Sequence, residues 1–543
     1  MTAGLLEPMG AWLAAQRWAT IPAPAKAAAR MQILNMIAAA HASARSPATR
    51  HMLSALPPST GPATIIATGR RVPPVEAAFI NAAFSMAQDF DDIIWIGHTC
   101  HSAVFAALAV AEAEGKTSQD LITAVVLANE IGGRLGGSTF LGPLNGQMWT
   151  FIHLVAAAAA TAHLLDLDAA RSTHALAIAL AQPPLALQPG FFQPTSKFLA
   201  AAVPTQIGIQ AAYFARAGMT GATNILEDRK GFWKWFAFRP LPGVLSDLGA
   251  WWAMQTLALK TYPACNYFQT ACTAIERACA DRWPEHPDDV ERVTIHTTKL
   301  GFEAMGFAHE YAGGAPPLLT ALGVGFDLAL TAAVLLHARR LTSDECEEAW
   351  LAKHAEPLRR WWQRIEVIHD PALTLRVFDT PWRIAAGRNA LRELGPRELW
   401  KLASDYRKHY GSTLASPREL VDWVRAGIER MRHGAPEALP GDYLPLYFPN
   451  RVTLRLRDGS QVTEQVDLQT GSMAAPTMPG VLEDKFLREV SPRLGDARAR
   501  AAFAAGSTLE AEPLASFVAR LVPATGSPHG EQGSAGDAPH LDN

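Results

Sequence analysis

One stretch of the sequence, from Asp89 to Glu112, reads D-F-D-D-I-I-W-I-G-H-T-C-H-S-A-V-F-A-A-L-A-V-A-E and changes character halfway along. Its first half brings aspartates and histidines close together. Its second half is apolar, with Val104, Leu108 and Ala111 at helical spacing. Its alanines favour a helix over a strand. The stretch therefore predicts a polar loop that runs directly into a buried helix.

The same helical texture extends on both sides of this stretch, from about Lys26 to Leu259. Apolar residues recur at helical spacing, as in Met31, Leu34 and Ile37, and alanine is abundant throughout. Proline and glycine pairs punctuate the segment, as expected between helices. This half of the chain predicts a compact helical bundle with few strands.

The texture changes after residue 265, where apolar and polar residues begin to alternate as they do in half-buried strands. Strand candidates are Val290–Thr297, Arg364–Asp370 and Arg451–Asp458, and Gly459 completes a D-G turn signal after the last of them. The alternation predicts a second domain of α+β type.

These patterns predict a mainly α fold with a large all-helical domain and a smaller α+β domain. The predicted limits are 1–265 for the first part of the helical domain, 266–479 for the α+β domain with a helical insertion at about 380–441, 480–525 for a return to the helical domain, and 526–543 for a disordered tail.

The amino-acid composition argues against nucleic acid and membranes as binding partners of the chain. Lys and Arg count 48 and Asp and Glu count 51, so the chain has no basic field for nucleic acid. Its five cysteines are scattered, and the N-terminus lacks the regions of a secretory signal, which favours the cytoplasm. The most apolar stretch, Phe151–Leu165, is too short and too rich in alanine to span a membrane and predicts a buried helix.

The carboxylates and imidazoles between Asp89 and His101 suit acid/base chemistry. Burial raises the pKa of a carboxyl group and a nearby carboxylate raises that of histidine, so such a cluster can hold a proton donor and a proton acceptor at neutral pH. Other interpretations are a helix N-cap with a solvated loop, a metal site at His98 and His101, and the magnesium motif of class I terpene synthases. The metal site lacks a third placed ligand, and the terpene synthase motif would need an acid at Trp95.

A series of short motifs in a fixed order resembles the MmgE/PrpD family, which includes 2-methylcitrate dehydratase, cis-aconitate decarboxylase and iminodisuccinate epimerase. Asp89-Phe-Asp-Asp92 and His98, followed by Ala106-Ala-Leu-Ala-Val-Ala-Glu112, are similar to its D-F-D-D-T, H-P and A-A-L-A-x-A-E. The later motifs are Ser196-Lys197, Gly218-Met-Thr-Gly221, Ile225-Leu-Glu227, Lys260-Thr-Tyr-Pro263 and Lys485-Phe486. The likeness covers roughly residues 26–522.

The resemblance implies a homodimer in which the α+β domain forms a lid and the active site lies between the two domains. Members act on small polycarboxylates without metal or organic cofactor, by making or quenching a carbanion beside a carboxylate. Carried over to this chain, the resemblance makes His98 the group that moves the proton and Asp89 the group that orients or tunes it. It makes Lys197 and Lys260 the positive charges that meet substrate carboxylates.

The chain departs from the family pattern near this site. The threonine after D-F-D-D is Ile93, and the proline after the histidine is Thr99. A second family histidine corresponds to Gln147, which cannot relay a proton at neutral pH, and a third corresponds to Cys265. Each exchange removes a proton carrier or an anion-binding donor. We therefore expect a substrate with less charge than a polycarboxylate.

Four further residues are predicted to contact the substrate: Asp92, Trp95, Gln147 and Cys265. Trp95, together with the aromatic run at 232–236, could line a larger and more apolar pocket.

The predicted function is that of a cofactor-independent lyase, of dehydratase or decarboxylase type, acting through a carbanion or enediolate on a small and rather apolar organic acid. Because the groups that would protonate a leaving hydroxyl have changed, a proton-transfer isomerase or epimerase at the same site is an alternative. A catalytically silent paralogue that binds a partner is another, against which the retained Asp89, His98, Lys197 and Lys260 argue.

Overall fold

The computed structural model describes most of the chain. The described residues are 4–95, 97–142, 150–192, 194–311, 318–386, 396–410, 421, 425 and 443–523. Most of the predicted insertion at 380–441 and the predicted tail at 526–543 therefore lie outside the described residues.

Helices rich in alanine and aliphatic residues make up the first half of the chain. Alanine loses no side-chain entropy in a helix, and its small side chain lets neighbouring helices approach closely. The helices are α1 (Leu6–Ala15), α2 (Ala23–Ser43), α3 (Pro47–Ala55), α4 (Pro74–Met86), α5 (Cys100–Ala113), α6 (Ser118–Ser138), α7 (Thr150–Leu164), α8 (Ala169–Leu180), α9 (Gln188–Phe192), α10 (Leu199–Arg216) and α11 (Phe232–Phe236).

Helix α7 lies at the centre of this bundle and packs against α5, α6, α8 and α10. Almost all of its side chains are buried, including the run Ala156–Ala160. The prediction of a buried helix at 151–165 is thus confirmed.

A different stretch, Thr195–Arg216, contains α10 and is long and apolar enough to cross a membrane. However, 61% of its most apolar part is buried inside the protein. Burial of this extent is typical of a core helix in a globular protein.

The second half of the chain combines helices with a mixed sheet. The helices are α12 (Gln269–Ala278), α13 (Lys299–Tyr311), α14 (Ala321–Phe326), α15 (Leu328–Ala338), α16 (Glu348–Lys353), α17 (Ala355–Trp362), α18 (Pro371–Val377), α19 (Asp379–Ala386) and α20 (Pro396–Tyr410). The predicted mainly α class with a smaller α+β part is confirmed.

The main sheet has four strands. Two short ladders precede it in the chain, formed by β1 (Ala63–Thr64) with β2 (Arg71–Val72) and by β3 (Asp92–Ile93) with β4 (Ala258–Leu259). The main strands are β5 (Val290–Thr297), β6 (Ile365–His369), β7 (Tyr447–Leu456) and β8 (Gln461–Leu468). Their spatial order is β6-β5-β7-β8, with β5 parallel to β6 and the other pairs antiparallel.

The predicted strands are all present in this sheet. Strand β5 has the predicted limits, and β6 lies within its predicted range. Strand β7 begins four residues before the predicted start at 451, and the turn at Asp458-Gly459 leads into β8, which the sequence analysis missed. Gly459 has a φ of 89°, a conformation that glycine adopts without steric cost.

The chain returns to the helical bundle through α21 (Met478–Leu494), α22 (Asp496–Ser507) and α23 (Leu514–Leu521). Leu482 and Phe486 of α21 share one hydrophobic core with Leu34 and Ile37 of α2. A second core holds residues of α12, α15 and the main sheet. The helical bundle is thus built from both ends of the chain, and the exact domain limits stay predictions.

The two-residue ladder of β3 and β4 matters most for the site. It pairs Asp92 with Leu259, and the backbone N–H of Lys260 donates to the carbonyl of Asp91 at 3.0 Å. The D-F-D-D loop and the K-x-Y-P segment are therefore held side by side although about 170 residues separate them.

Candidate active site

A tight turn places Asp89 after the end of α4. Its backbone has a φ of 54°, in the left-handed region, which aspartate tolerates better than most residues. The backbone N–H of Asp89 donates to the carbonyl of Met86 at 3.3 Å and closes the turn. The side chain is 2% exposed, so the turn directs a carboxylate into the interior.

The Asp89 carboxylate bridges two buried lysines. Its Oδ1 lies 2.7 Å from Nζ of Lys197, and its Oδ2 lies 2.8 Å from Nζ of Lys260. Burial alone would raise the pKa of Asp89, but the two ammonium groups outweigh it and hold the pKa below its usual range. Asp89 is therefore ionised and fixes both lysine side chains, so the predicted residues Asp89, Lys197 and Lys260 do come together.

Asp91, rather than Asp89, contacts His98. Its Oδ2 lies 2.7 Å from Nδ1 of His98, and its Oδ1 lies 2.5 Å from Nζ of Lys260. Despite burial, Lys260 and His98 keep the pKa of Asp91 well below its usual range. Asp89 was expected to orient or tune His98; in this structure Asp91 makes the orienting contact, and tuning by Asp89 stays a prediction. The turn at Asp89 points its carboxylate at the lysines and leaves the histidine to Asp91.

The orientation of His98 follows from its Nδ1 contacts. The carbonyl oxygen of Asp92 lies 2.6 Å from the same nitrogen, so Nδ1 faces two acceptors and carries a proton. Nε2 is then the nitrogen that can accept or release a proton during a reaction. The side chain is 7% exposed, which excludes most solvent from that exchange.

Asp92 turns its side chain away from this pair and into the helical bundle. Gln32 donates to its Oδ1 at 2.9 Å and Asn35 to its Oδ2 at 3.1 Å, both from α2. Burial raises the pKa of Asp92 to about 6. Since amide donors take up both oxygens, the geometry favours a structural role, and the predicted contact with substrate stays untested.

Lys485 also belongs to this site, although its sequence motif predicted no role for it. It lies on α21, and its Nζ donates to Oδ1 of Asn35 at 2.7 Å and to the carbonyls of Phe90 at 2.7 Å and Lys260 at 2.9 Å. The ammonium also sits 3.7 Å from the centre of the Phe90 ring. Lys485 thus ties the C-terminal part of the bundle to both chain segments of the site, and the K-F motif was the available signal.

Trp95 and Cys265 are buried close to these segments. Trp95 adopts a φ of 44°, and its ring packs against Trp251 at 4.9 Å between centroids. The backbone N–H of Cys265 donates to the carbonyl of Gly325 at 2.7 Å, and burial raises the pKa of its thiol to about 12. The thiol is therefore protonated and has no acid/base role at neutral pH. Gln147 lies outside the described residues.

The aromatic run at 232–236 is not part of this cluster. Phe232 and Phe236 stack on each other and pack edge-on against Phe151 in the bundle core, while Trp235 is 72% exposed. A more apolar pocket wall at this run was therefore a wrong expectation.

Two other rings flank the buried Lys197, which lies in the short turn just before α10. The ammonium of Lys197 lies 5.5 Å from the ring centre of Phe191 and 5.0 Å from that of Phe326. Phe192 packs edge-on against both rings. These aromatics come from α9 and α14, whose approach in space the sequence alone does not reveal.

Three possible metal ligands lie close together, namely Asp91, Cys100 and His101, whose ligand atoms are all within 4.8 Å of one another. The ammonium of Lys260, 2.5 Å from the same carboxylate, would repel a cation. Burial also raises the pKa of the Cys100 thiol well above its usual range, so the thiolate that binds metals is disfavoured. This donor set does not suit a metal ion.

Comparison with known proteins points to the same part of the chain. Residues 7–242 match the MmgE/PrpD N-terminal domain. The cis-aconitate decarboxylase of Aspergillus terreus is 29% identical over 287 residues, which are 49% of this chain and 58% of that enzyme. The cis-aconitate decarboxylase of Homo sapiens is 31% identical over 208 residues, which are 36% of this chain and 42% of that enzyme.

The matched stretch thus spans little more than half the length of the Aspergillus terreus relative. Residues 7–242 contain the D-F-D-D loop, His98 and Lys197, which belong to the buried ionic cluster. On these grounds residues 7–242 form an MmgE/PrpD N-terminal domain, and the chain is similar to divergent members of that family.

Proposed function

We propose that the protein is a cofactor-independent lyase of decarboxylase or dehydratase type, acting on a small organic acid through a carbanion or enediolate next to a carboxylate. The names of its relatives support the reaction class, since they are cis-aconitate decarboxylases. The buried cluster of Asp89, Asp91, His98, Lys197 and Lys260 supports the acid/base character of the chemistry.

The observation that carries the proposal is the pair of buried ammonium groups beside an oriented imidazole. A carboxylate adjacent to a carbanion takes up negative charge on its oxygens, and fixed cations lower the energy of that charge. Lys197 and Lys260 supply such cations without contact with bulk water, because both side chains are at most 1% exposed. Asp89 keeps them in place before the substrate binds.

His98 is the proposed proton carrier. With Nδ1 held by Asp91, its Nε2 can take a proton from carbon or deliver one to carbon as the carbanion is quenched. The Asp91 carboxylate stabilises the imidazolium form that arises in the first case, at a distance of 2.7 Å. Proton transfer and charge stabilisation therefore come from neighbouring groups.

The charge balance favours a substrate with few carboxylates. Among the described side chains, the ammoniums of Lys197 and Lys260 are matched by the carboxylates of Asp89 and Asp91. A polycarboxylate would need cations beyond this pair to offset its charge. Phe191 and Phe326 beside Lys197 add apolar surface. These features support an acid with one or two carboxylates and an apolar part.

Solvent-deuterium incorporation tests the proposal. The protein is incubated in D₂O with hydroxy, unsaturated and keto acids of increasing apolar size, and the products are followed by NMR. We expect loss of carbon dioxide or water from at least one acid, with the rate unchanged by a chelator. Deuterium exchange without net conversion would replace the lyase with the isomerase or epimerase alternative, and no reaction with any acid would favour the silent paralogue.

A further inference from the structure

A second imidazole lies behind His98. His101 is on the first turn of α5 and is completely buried. Its Nε2 lies 3.3 Å from Oδ2 of Asp91, the same oxygen that lies 2.7 Å from Nδ1 of His98. The contact of His101 is longer and is not aligned as a hydrogen bond, and in the described part of the chain this buried Nε2 has no hydrogen-bond partner. One carboxylate oxygen thus faces two rings.

Ser85 on α4 contacts the other ring nitrogen of His101, Nδ1. Its Oγ lies 2.8 Å from Nδ1 of His101 and 2.9 Å from the carbonyl of Ala82, and a hydroxyl has a single hydrogen to donate. If it donates to Nδ1, the ring proton is on Nε2 and points at Asp91. If it donates to Ala82, Nε2 is bare and its lone pair faces the carboxylate. An ionised Asp91 therefore selects the first arrangement.

The surroundings of His101 keep it uncharged. Burial lowers the pKa of His101, although the Asp91 carboxylate opposes this effect. The charged groups that act on it are Asp91, His98 and Lys260, and Cys100 precedes it in α5. From α7, His153 lies 5.8 Å away between ring centres, and burial also keeps the pKa of His153 well below its usual range. A neutral donor thus shares Asp91 with His98.

We propose that His101 is a positioning residue that shares the Asp91 carboxylate with His98 and thereby sets how tightly His98 binds its proton. A donor at Oδ2 draws negative charge away from His98 and so weakens the stabilisation of its imidazolium form. The inference rests on the proposed role of His98 as the proton carrier.

Two amide substitutions separate this role from packing. The side-chain nitrogen of glutamine can reach the position of Nε2, whereas asparagine reaches only that of Nδ1 and contacts Ser85 alone. We expect His101→Asn to raise the proton affinity of His98 about tenfold, or about one pH unit. We expect His101→Gln, which retains a donor beside Asp91, to leave the proton affinity of His98 within about twofold of the wild-type value. Both variants keep a polar side chain of similar size.

The measurement is an NMR titration of histidine labelled with ¹³C at Cε1 and ¹⁵N in the ring, with the His98 signal assigned by its loss in His98→Gln. Ser102→Ala is the matched control, because Ser102 lies 3.2 Å from Nδ1 of His153, the neighbouring buried imidazole. We expect no shift in this control.

Equal proton affinity of His98 in wild type and in His101→Asn would overturn the proposal. A neutral His101 with its proton on Nδ1 in the wild type would also overturn it, whether or not the variants fold. The titration needs no substrate, so its failure is distinct from a failure of the proposed lyase activity, which the deuterium experiment tests separately.

Discussion

Asp91 is the residue on which the chemistry of the cluster converges. Its two oxygens face Lys260 on one side and the ring of His98 on the other. Asp89 two positions earlier faces Lys197 and Lys260, and Asp92 one position later faces the amides of α2. The three aspartates of this short motif thus have different sets of partners, with Lys260 shared by Asp89 and Asp91, because the turn at Asp89 and the strand at Asp92 point them in different directions.

Part of this site was predictable from the sequence and part was not. The motifs identified Asp89, His98, Lys197 and Lys260, and the structure places them in one cluster. The spacing could not show which carboxylate meets the histidine, because that depends on the left-handed backbone at Asp89.

Replacing Asp89 tests the buried ion pairs. Asp89→Asn should lower the free energy of unfolding by about 3–5 kcal/mol at neutral pH, since Lys197 and Lys260 lose a carboxylate while staying buried. The double variant Asp89→Asn with Lys197→Met should recover part of the loss, because it also removes one of the unpaired charges. Urea unfolding measures both differences, and an unchanged midpoint for Asp89→Asn would contradict the ion-pair account.

The same variant has a defined pH dependence. The lysines lower the pKa of Asp89 in the folded state, so its contribution is fully present above the unfolded pKa of about 4 and is lost as pH falls through the lower folded pKa. The difference in the free energy of unfolding between wild type and Asp89→Asn should therefore become smaller in strongly acidic solution. Urea unfolding of both proteins across the acid range measures it, and a deficit independent of pH would point to packing instead of charge.

Among the elements, α21 holds the site together from the far end of the chain. Lys485 satisfies one side-chain and two backbone acceptors that belong to α2, the D-F-D-D loop and the segment after β4. A contact across 395 residues, as between Lys485 and Phe90, leaves no periodic signal in the sequence. Strand β8 was missed for a related reason, since its first five residues are mostly exposed and lack apolar alternation.

Lys485→Met should destabilise the protein by about 3–5 kcal/mol, because it leaves three buried acceptors without their donor. Glu483→Met on the same helix is the control, since Glu483 is exposed to solvent. Its expected cost is below about 1 kcal/mol. Equal effects of the two substitutions in denaturant titrations would show that Lys485 is not a structural anchor.

At the scale of the whole molecule, the site lies where the helical bundle meets chain segments of the second half. Lys197 lies beside Phe326 of α14. The backbone N–H of Cys265 donates a hydrogen bond to the carbonyl of Gly325 in the same helix. A shift of α14 relative to the bundle would therefore change the surroundings of a reacting group. This arrangement agrees with the lid implied by the family resemblance.

The oligomeric state is a further expectation at this scale. The resemblance implies a homodimer, and Leu185, Leu187 and Leu199 are 55%, 67% and 41% exposed in the single chain. Burying such exposed apolar side chains in an interface favours the association of two chains. Light scattering should give a mass of about twice 58.5 kDa. Leu187→Glu should weaken the dimer, and a monomer at micromolar concentration for the wild type would contradict the expectation.

The proposed role of His98 is to move the proton. The rate of deuterium incorporation into the first acid on which the wild type acts, measured by NMR for wild type and His98→Ala, tests this role. We expect a loss of at least about 100-fold in His98→Ala, with an unchanged circular dichroism spectrum. Exchange in folded His98→Ala within twofold of the wild-type rate would contradict it.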